Sequence, residues 1–345
     1  MIRTVFSVAL AIVFGWPIYG HCEEPPRLRF DWSASYDTHF SQKTRDGGYI
    51  ISGQFWEPGG NQYDFWVLKL DQNGNIEWQK TYGGGSWDIA FSTQQTTDGG
   101  YIVSGTTSSF GAGDEDVWVL KLDSNGQIVW QKTYGGAGTD EGRDIEQTKD
   151  GGYIVSGTTS SFGDGLRDIW VLRLSPDGNI IWDKTYGGKG EESEYFRHIP
   201  IEPTSDGGYI VAGSTRSFGA GEDDFWILKL NADGNINWQK TFGTGREEYP
   251  TSIREMQDGT YRVTGTESLS VFGDDWILIL DAKGNIAGVR SKINSELTFY
   301  DTTVVPKTTN QKTGNSSAAV GDSSQHMEKS ETNESATTIV EPRTE

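Results

Sequence analysis

The sequence predicts an all-β chain built from five copies of one four-stranded antiparallel unit, and three observations carry that expectation. First, a turn-and-strand motif recurs as Asp46-Gly-Gly-Tyr-Ile, Asp98-Gly-Gly-Tyr-Ile, Asp150-Gly-Gly-Tyr-Ile, Asp206-Gly-Gly-Tyr-Ile and, degraded, Asp258-Gly-Thr-Tyr-Arg. The spacing is 52 residues throughout, except for 56 before Asp206. A fixed period of this size marks a repeat architecture. Second, two further motifs run in step. One is the apolar run Phe65-Trp-Val-Leu-Lys-Leu with its counterparts at Val117, Ile169, Phe225 and Asp275. The other is Gly74-Asn-Ile-Glu-Trp, with counterparts at Gly126, Gly178, Gly234 and Gly284. Third, 45 of 345 residues are glycine, with 13 Trp, 14 Tyr and 15 Phe. That composition suits short strands and tight turns rather than a helical bundle, which needs long Ala-, Leu-, Glu- and Lys-rich stretches.

Copy two shows the parse. Strand a is expected at Ile89–Thr96, strand b at Tyr101–Thr106, strand c at Val117–Leu122 and strand d at Gln127–Thr133. Asp98-Gly-Gly joins a to b, and Asp123-Ser-Asn-Gly joins c to d. Asp-Gly and Asn-Gly supply the positive φ angles of tight hairpins. Strand c alternates: Trp118, Leu120 and Leu122 face one way, Val117, Val119 and Lys121 the other. A four-stranded meander of this length cannot bury both faces alone. Repeated, it is the signature of a β-propeller blade, so five blades are expected, at about 30–82, 83–134, 135–186, 187–242 and 243–294.

The run Tyr101-Ile-Val-Ser-Gly … Asp116-Val-Trp-Val-Leu … Trp130 resembles a kelch-type blade. More closely, it is similar to the repeats of bacterial secreted propellers that read DGGYIVSG…DVWVLKLDSNGxIxWQKTYGG. Ser104-Gly105 stands where kelch repeats carry a double glycine. The resemblance covers about residues 30–294 and implies a scaffold or binding surface without defining its ligand.

The ends read differently. Arg3, the apolar run Val5–Phe14 and Pro17 describe a secretory signal over residues 1–22, too short to span a bilayer. A secreted, periplasmic or cell-surface location is therefore expected. A lipid anchor at Cys22 would need an aliphatic residue and small residues before it, where Tyr19, Gly20 and His21 stand. The propeller is placed at 23–299, with no transmembrane helix in the mature chain. Arg27–Trp32 occupies the position of a strand d and is a candidate for closing the ring beside blade five, whose own strand d has Gly288 in place of tryptophan. Residues 300–345 are rich in Ser, Thr, Asn, Gln, Glu and Lys. They are expected to form a disordered tail, being too polar to offset the entropy of ordering.

A net charge of −20 disfavours nucleic acid and anionic membranes as partners. One cysteine excludes a disulfide framework, and only His39 and His198 lie in the repeat region, which excludes a His-rich metal centre. In a propeller the d–a and b–c connections share one face. Here these are the long, variable and acidic loops, such as Phe110–Asp116 and Gly187–Tyr195. No cofactor is expected, calcium apart: Asp114, Asp116, Asp164, Asp168, Asp223 and Asp224 are the candidate ligands for that hard ion. Acidic loops that cap turns and keep the chain soluble are the simpler reading.

Residues that break the repeat are the better ligand-binding candidates. Trp56 and Trp87 have no equivalents in other copies and belong to loops of the same face. Tyr195, Arg197 and His198 lie within the insertion before Asp206. The leading expectation is a non-enzymatic, monomeric binding scaffold for a protein or carbohydrate at the cell envelope. A carbohydrate-binding propeller is the first alternative. A glycoside hydrolase is the second, needing two carboxylates with split pKa values; Asp37, Glu57 and Glu191 are the less repeated acids, and nothing in the sequence pairs them.

Overall fold

The computed structural model describes residues 36–56, 62–193, 198–219, 223–243, 247–267, 275–291 and 298–300. The leader, the Arg27–Trp32 segment, Tyr195, Arg197 and nearly all of the tail lie outside them. Blade one is β1 (Tyr36–Lys43), β2 (Tyr49–Trp56), β3 (Tyr63–Leu70) and β4 (Ile76–Tyr82). Blade two is β5 (Asp88–Gln95), β6 (Tyr101–Thr107), β7 (Asp116–Leu122) and β8 (Ile128–Tyr134). Blade three is β9 (Asp140–Gln147), β10 (Tyr153–Thr159), β11 (Asp168–Leu174) and β12 (Ile180–Tyr186). Blade four is β13 (Ile201–Pro203), β14 (Tyr209–Thr215), β15 (Asp224–Leu230) and β16 (Ile236–Gly243). Blade five is β17 (Glu248–Glu255), β18 (Tyr261–Glu267), β19 (Asp275–Leu280) and β20 (Ile286–Ser291). Each is an antiparallel meander in chain order, and β21 (Thr298–Tyr300) adds a fifth strand outside β16. The chain is a five-bladed β-propeller. Among the described residues no helix is long and apolar enough to cross a membrane.

The expected strands of copy two match β5–β8 to within a residue at each end. The alternation in β7 sorts as predicted. Trp118, Leu120 and Leu122 pack on Ile50, Phe65 and Val67 of blade one, while Val117 and Val119 pack on Tyr153, Trp170 and Leu172 of blade three. Blades three to four and four to five repeat this arrangement. The strand-c tryptophans Trp66, Trp118, Trp170 and Trp226 are wholly buried. Those of strand d are half-buried clamps. Trp78 Nε1 donates to Ser124 O at 3.1 Å, and Trp130 Nε1 donates to Pro176 O at 3.1 Å, each reaching the c–d turn of the next blade. Gly126 lies under the Trp78 ring at φ 71°; a Cβ there would sit 2.9 Å from the indole, so glycine serves both turn and clamp.

Lys69, Lys121, Arg173 and Lys229 are buried yet paired, each with the a–b turn aspartate of its own blade: Asp46, Asp98, Asp150 and Asp206. Lys69, at 2.8 Å, and a hydrogen bond from Thr44 hold Asp46 down at about 2. Blade five has Ile279 at the lysine position and lacks this pin. It does form its fourth strand, β20, from its own copy despite Gly288.

The four inner strands β1, β5, β9 and β17 each carry a bulge, at His39, Phe91, Arg143 and Thr251. A bulge inserts one residue and turns its side chain away from the ladder. Blade four differs because of the insertion. Ser193 takes a positive φ of 52°, and the inner strand is only the three residues of β13.

Candidate functional site

The backbone at the face of the d–a and b–c connections is nearly invariant. Asp140 N donates to Glu115 O, Glu192 N to Arg167 O and Glu248 N to Asp223 O, at 2.7–2.9 Å. Ser108 N, Ser160 N and Arg216 N close the next step onto Trp87 O, Thr139 O and Glu191 O. This frame holds side chains that change from blade to blade. The position before the strand-c aspartate is Tyr63, Glu115, Arg167 and Asp223; its partner before the inner strand is Trp87, Thr139, Glu191 and Glu247. With the bulge residues they form a variable band between rim and axis.

At the junction of blades one and two the band is aromatic. Trp56 and Tyr63 meet edge-on at 4.7 Å, and Tyr63 meets Trp87 at 5.9 Å. The two tryptophans singled out in the sequence are thus joined through Tyr63. Trp56 ends strand β2 rather than standing in a loop, and Trp87 is 51% exposed. On the bulges of the inner strands, Arg143 stacks over Phe91 at 4.2 Å, and the tilted His39 ring lies 5.2 Å from Phe91.

From blade two to blade five the band is ionic. Glu141 bridges Arg143 and Arg167, at 2.6 Å each, and accepts from Thr158 Oγ1. Arg167 continues to Glu191 at 3.8 Å, Glu191 to Arg216 at 3.6 Å, and Arg216 to Asp223 at 2.8 Å. Tyr249 donates to Glu247. Burial, then the neighbouring Glu141, pushes the Glu115 carboxyl up.

His198 is half-buried. Its Nδ1 lies 3.2 Å from Thr251 O and its Nε2 3.9 Å from Asp144. It therefore lies between the inner strands of blades three and five. Asp144 is buried there, accepting from Ser92 and from the Ile201 amide. Glu146, one strand step on, accepts from Gln94, and burial with Asp144 and Glu202 nearby pushes it up to about 8. Unfolded, it would titrate at its ordinary 4.5. Its contribution to stability is complete below 4.5 and is lost as pH rises to about 8. Urea midpoints are therefore expected to fall between pH 5 and 8, and Glu146→Gln to flatten that slope. An unchanged slope in the variant contradicts the assignment.

The six aspartates considered for calcium divide. Asp114 and Asp164 are exposed at loop tips. Asp116 accepts from the amides of Ala112 and Gly113, and Asp168 from that of Asp164, so both staple their own loops. Asp223 is ion-paired with Arg216. Asp224 is buried against Gly219 and Gly243. The six do not converge, and among the described residues no three His, Cys, Asp or Glu side chains gather as a metal site. Glu57 and the side chain of Asp37 lie outside the described residues, and Glu191 is held by Arg167 and Arg216.

Sequence reasoning passed over Tyr63, Glu115, Glu141 and the bulge residues Phe91 and Arg143. Tyr63, Glu115 and Glu141 did carry a signal: they stand in columns that vary inside otherwise fixed repeats.

Residues 204–237 match the family described as Domain of unknown function (DUF5122) beta-propeller. No curated protein matches the chain. Among solved structures the chain is similar to a protein of unknown function from Bacteroides caccae, at 13% identity and TM-score 0.47, over 75% of this chain and 83% of that one. It is similar to Sqt1 from Chaetomium thermophilum at 15% identity and TM-score 0.43, over 78% of this chain and 66% of that one. An endo-arabinase from Bacteroides thetaiotaomicron matches at 15% identity and TM-score 0.38, over 71% and 94%. With five repeated antiparallel sheets and this family match, the chain is a β-propeller repeat protein.

Proposed function

We propose that the protein is a non-enzymatic binding propeller, exported to the cell envelope, whose ligand seats on the variable band. The observation that carries this reading is the contrast between a recurring backbone frame and side chains that differ at each described blade junction. Repeats preserve packing; a column free to vary on a preserved frame is how a scaffold acquires one specific surface.

A saccharide is the ligand class favoured by the aromatic end. Trp87 presents half its surface, and Tyr63 holds it edge-on against Trp56. Such a ledge stacks on the apolar face of a sugar ring, and the neighbouring Arg–carboxylate pairs offer donors and acceptors to hydroxyls. The ion-paired carboxylates favour binding over hydrolysis, which needs one free acid and one free base at a shared bond. Trp87→Ala is expected to weaken saccharide binding at least tenfold in calorimetric titration while leaving the urea midpoint unchanged. Equal affinity in wild type and variant contradicts the ledge.

A further inference from the structure

The charges of blades one and two are sorted by end. From Tyr36 to Tyr134 the lysines and arginines are Lys43, Arg45, Lys69, Lys80, Lys121 and Lys132, and all of them belong to the hairpin-turn end. Lys43 closes β1, and Arg45 donates to the carbonyls of Thr96 and Thr97. Lys69 and Lys121 pair with the a–b turn aspartates; Lys80 and Lys132 reach Asn125 O and Asn179 Oδ1 in the c–d turns of the next blades. The opposite end carries the aromatic ledge with Asp88, Asp114 and Glu115, and its loops contain no Lys or Arg. Asp88, next to Trp87, is buried and accepts from Gly84, Thr107 and Ser109. Among the described residues none of these three acids is ion-paired. The loop-end arginines of later blades are already taken, Arg143 and Arg167 by Glu141 and Arg216 by Asp223, and the exposed Lys189 stands two junctions from the ledge. Asp88, Thr107 and Asp116 lie side by side in register on β5, β6 and β7. The residues just before the outer two, Trp87 and Glu115, therefore stand two strand spacings apart, about 10 Å, across the end of blade two. Ring and acid fit neighbouring units of one sugar chain, with the exposed Asp114 beside Glu115.

Resting on the reading of the ledge as a saccharide platform, we propose that its ligand is a linear chain of amino sugars with free ammonium groups. One ring lies on Trp87, and a neighbouring unit turns its ammonium to Asp114 and Glu115. The ammonium supplies the countercharge that this end of the band lacks. It also relieves the Glu115 carboxyl, which burial and then Glu141 disfavour as an anion. Uronic or sulfated sugars meet carboxylates here with no lysine or arginine to receive them, and the net charge of −20 repels them at longer range. A neutral glycan stacks on Trp87 but gains no ion pair from the acids.

The test is calorimetric titration of the full chain, in mildly acidic buffer that protonates sugar amines, with three oligosaccharides of equal length. These are hexamers of glucosamine, of N-acetylglucosamine and of galacturonic acid. The glucosamine hexamer is expected to bind about tenfold more tightly than its acetylated counterpart, as two partly exposed ion pairs allow. That advantage is expected to shrink as salt is raised, and the galacturonic hexamer to bind least. Asp114→Asn/Glu115→Gln is expected to abolish the advantage and to leave affinity for the acetylated hexamer unchanged, whereas Trp87→Ala weakens both. Equal affinity for the two glucosamine-backbone hexamers, or tighter binding of the acidic one, overturns the proposal; loss of that binding in Trp87→Ala then leaves the saccharide ledge standing, so the two failures are told apart. Glucosamine binding that survives Trp87→Ala is general attraction to an acidic protein and overturns the proposal as well.

Discussion

Trp118→Ala is expected to lower the free energy of unfolding by about 3–5 kcal/mol, the cost of deleting a large buried aromatic and leaving a cavity. Trp118 is fully buried between blades one and two, 4.6 Å from Phe65 and 5.2 Å from Phe110. These neighbours come from two blades, Phe65 from β3 and Phe110 from the loop before β7, and cannot both collapse into the gap without moving one blade against the other. Urea denaturation of the variant measures the loss. A change below about 1 kcal/mol would mean that the junction tolerates the cavity and that strand-c tryptophans do not hold the blades together.

Arg167→Met is expected to cost about 3 kcal/mol, the lower end of the range for breaking a buried ion pair. Arg167 is one of two cations on Glu141, and both side chains are almost fully buried. Removing it leaves part of a carboxylate charge unpaired in a dry junction, with Arg143 and Thr158 as the remaining partners. The double variant Glu141→Gln/Arg167→Met also takes from Arg143 the carboxylate 2.6 Å away and is expected to be less stable than the single variant. If the double variant is as unstable as the single one, the damage comes from packing and the ionic chain is not a unit.

The fold was legible because the repeat itself is the signal. Tyr-Ile-Val-Ser-Gly and Val-Trp-Val-Leu-Lys-Leu recur with tight-turn glycines between them, and local alternation alone assigns Trp118 and Val117 to opposite junctions. The bulges were not legible, because Phe91 and Arg143 interrupt a register that only the pairing partner reveals. The aromatic ledge was half legible. Trp56 and Trp87 stand out as unrepeated, but Tyr63, which joins them, looks like any strand residue until the five copies are read as columns. The pairing of Asp168 with Glu192 between blades three and four was hidden for the opposite reason. Asp116 and Asp168 recur, and recurrence reads as structure; only the side chain from the next blade shows that two carboxyls meet. Tyr195 and Arg197 lie outside the described residues, so of the three candidates in the insertion only His198 is described.

The central claim is binding without chemistry at the aromatic end of the band. Its most direct test is a glycan array probed with the full chain and with Trp56→Ala and Trp87→Ala, followed by chromatography of any bound glycan after prolonged incubation. The account predicts a defined saccharide that is bound by wild type, lost in both variants and recovered uncleaved. Shortened products, or wild-type binding that both variants retain, would contradict it.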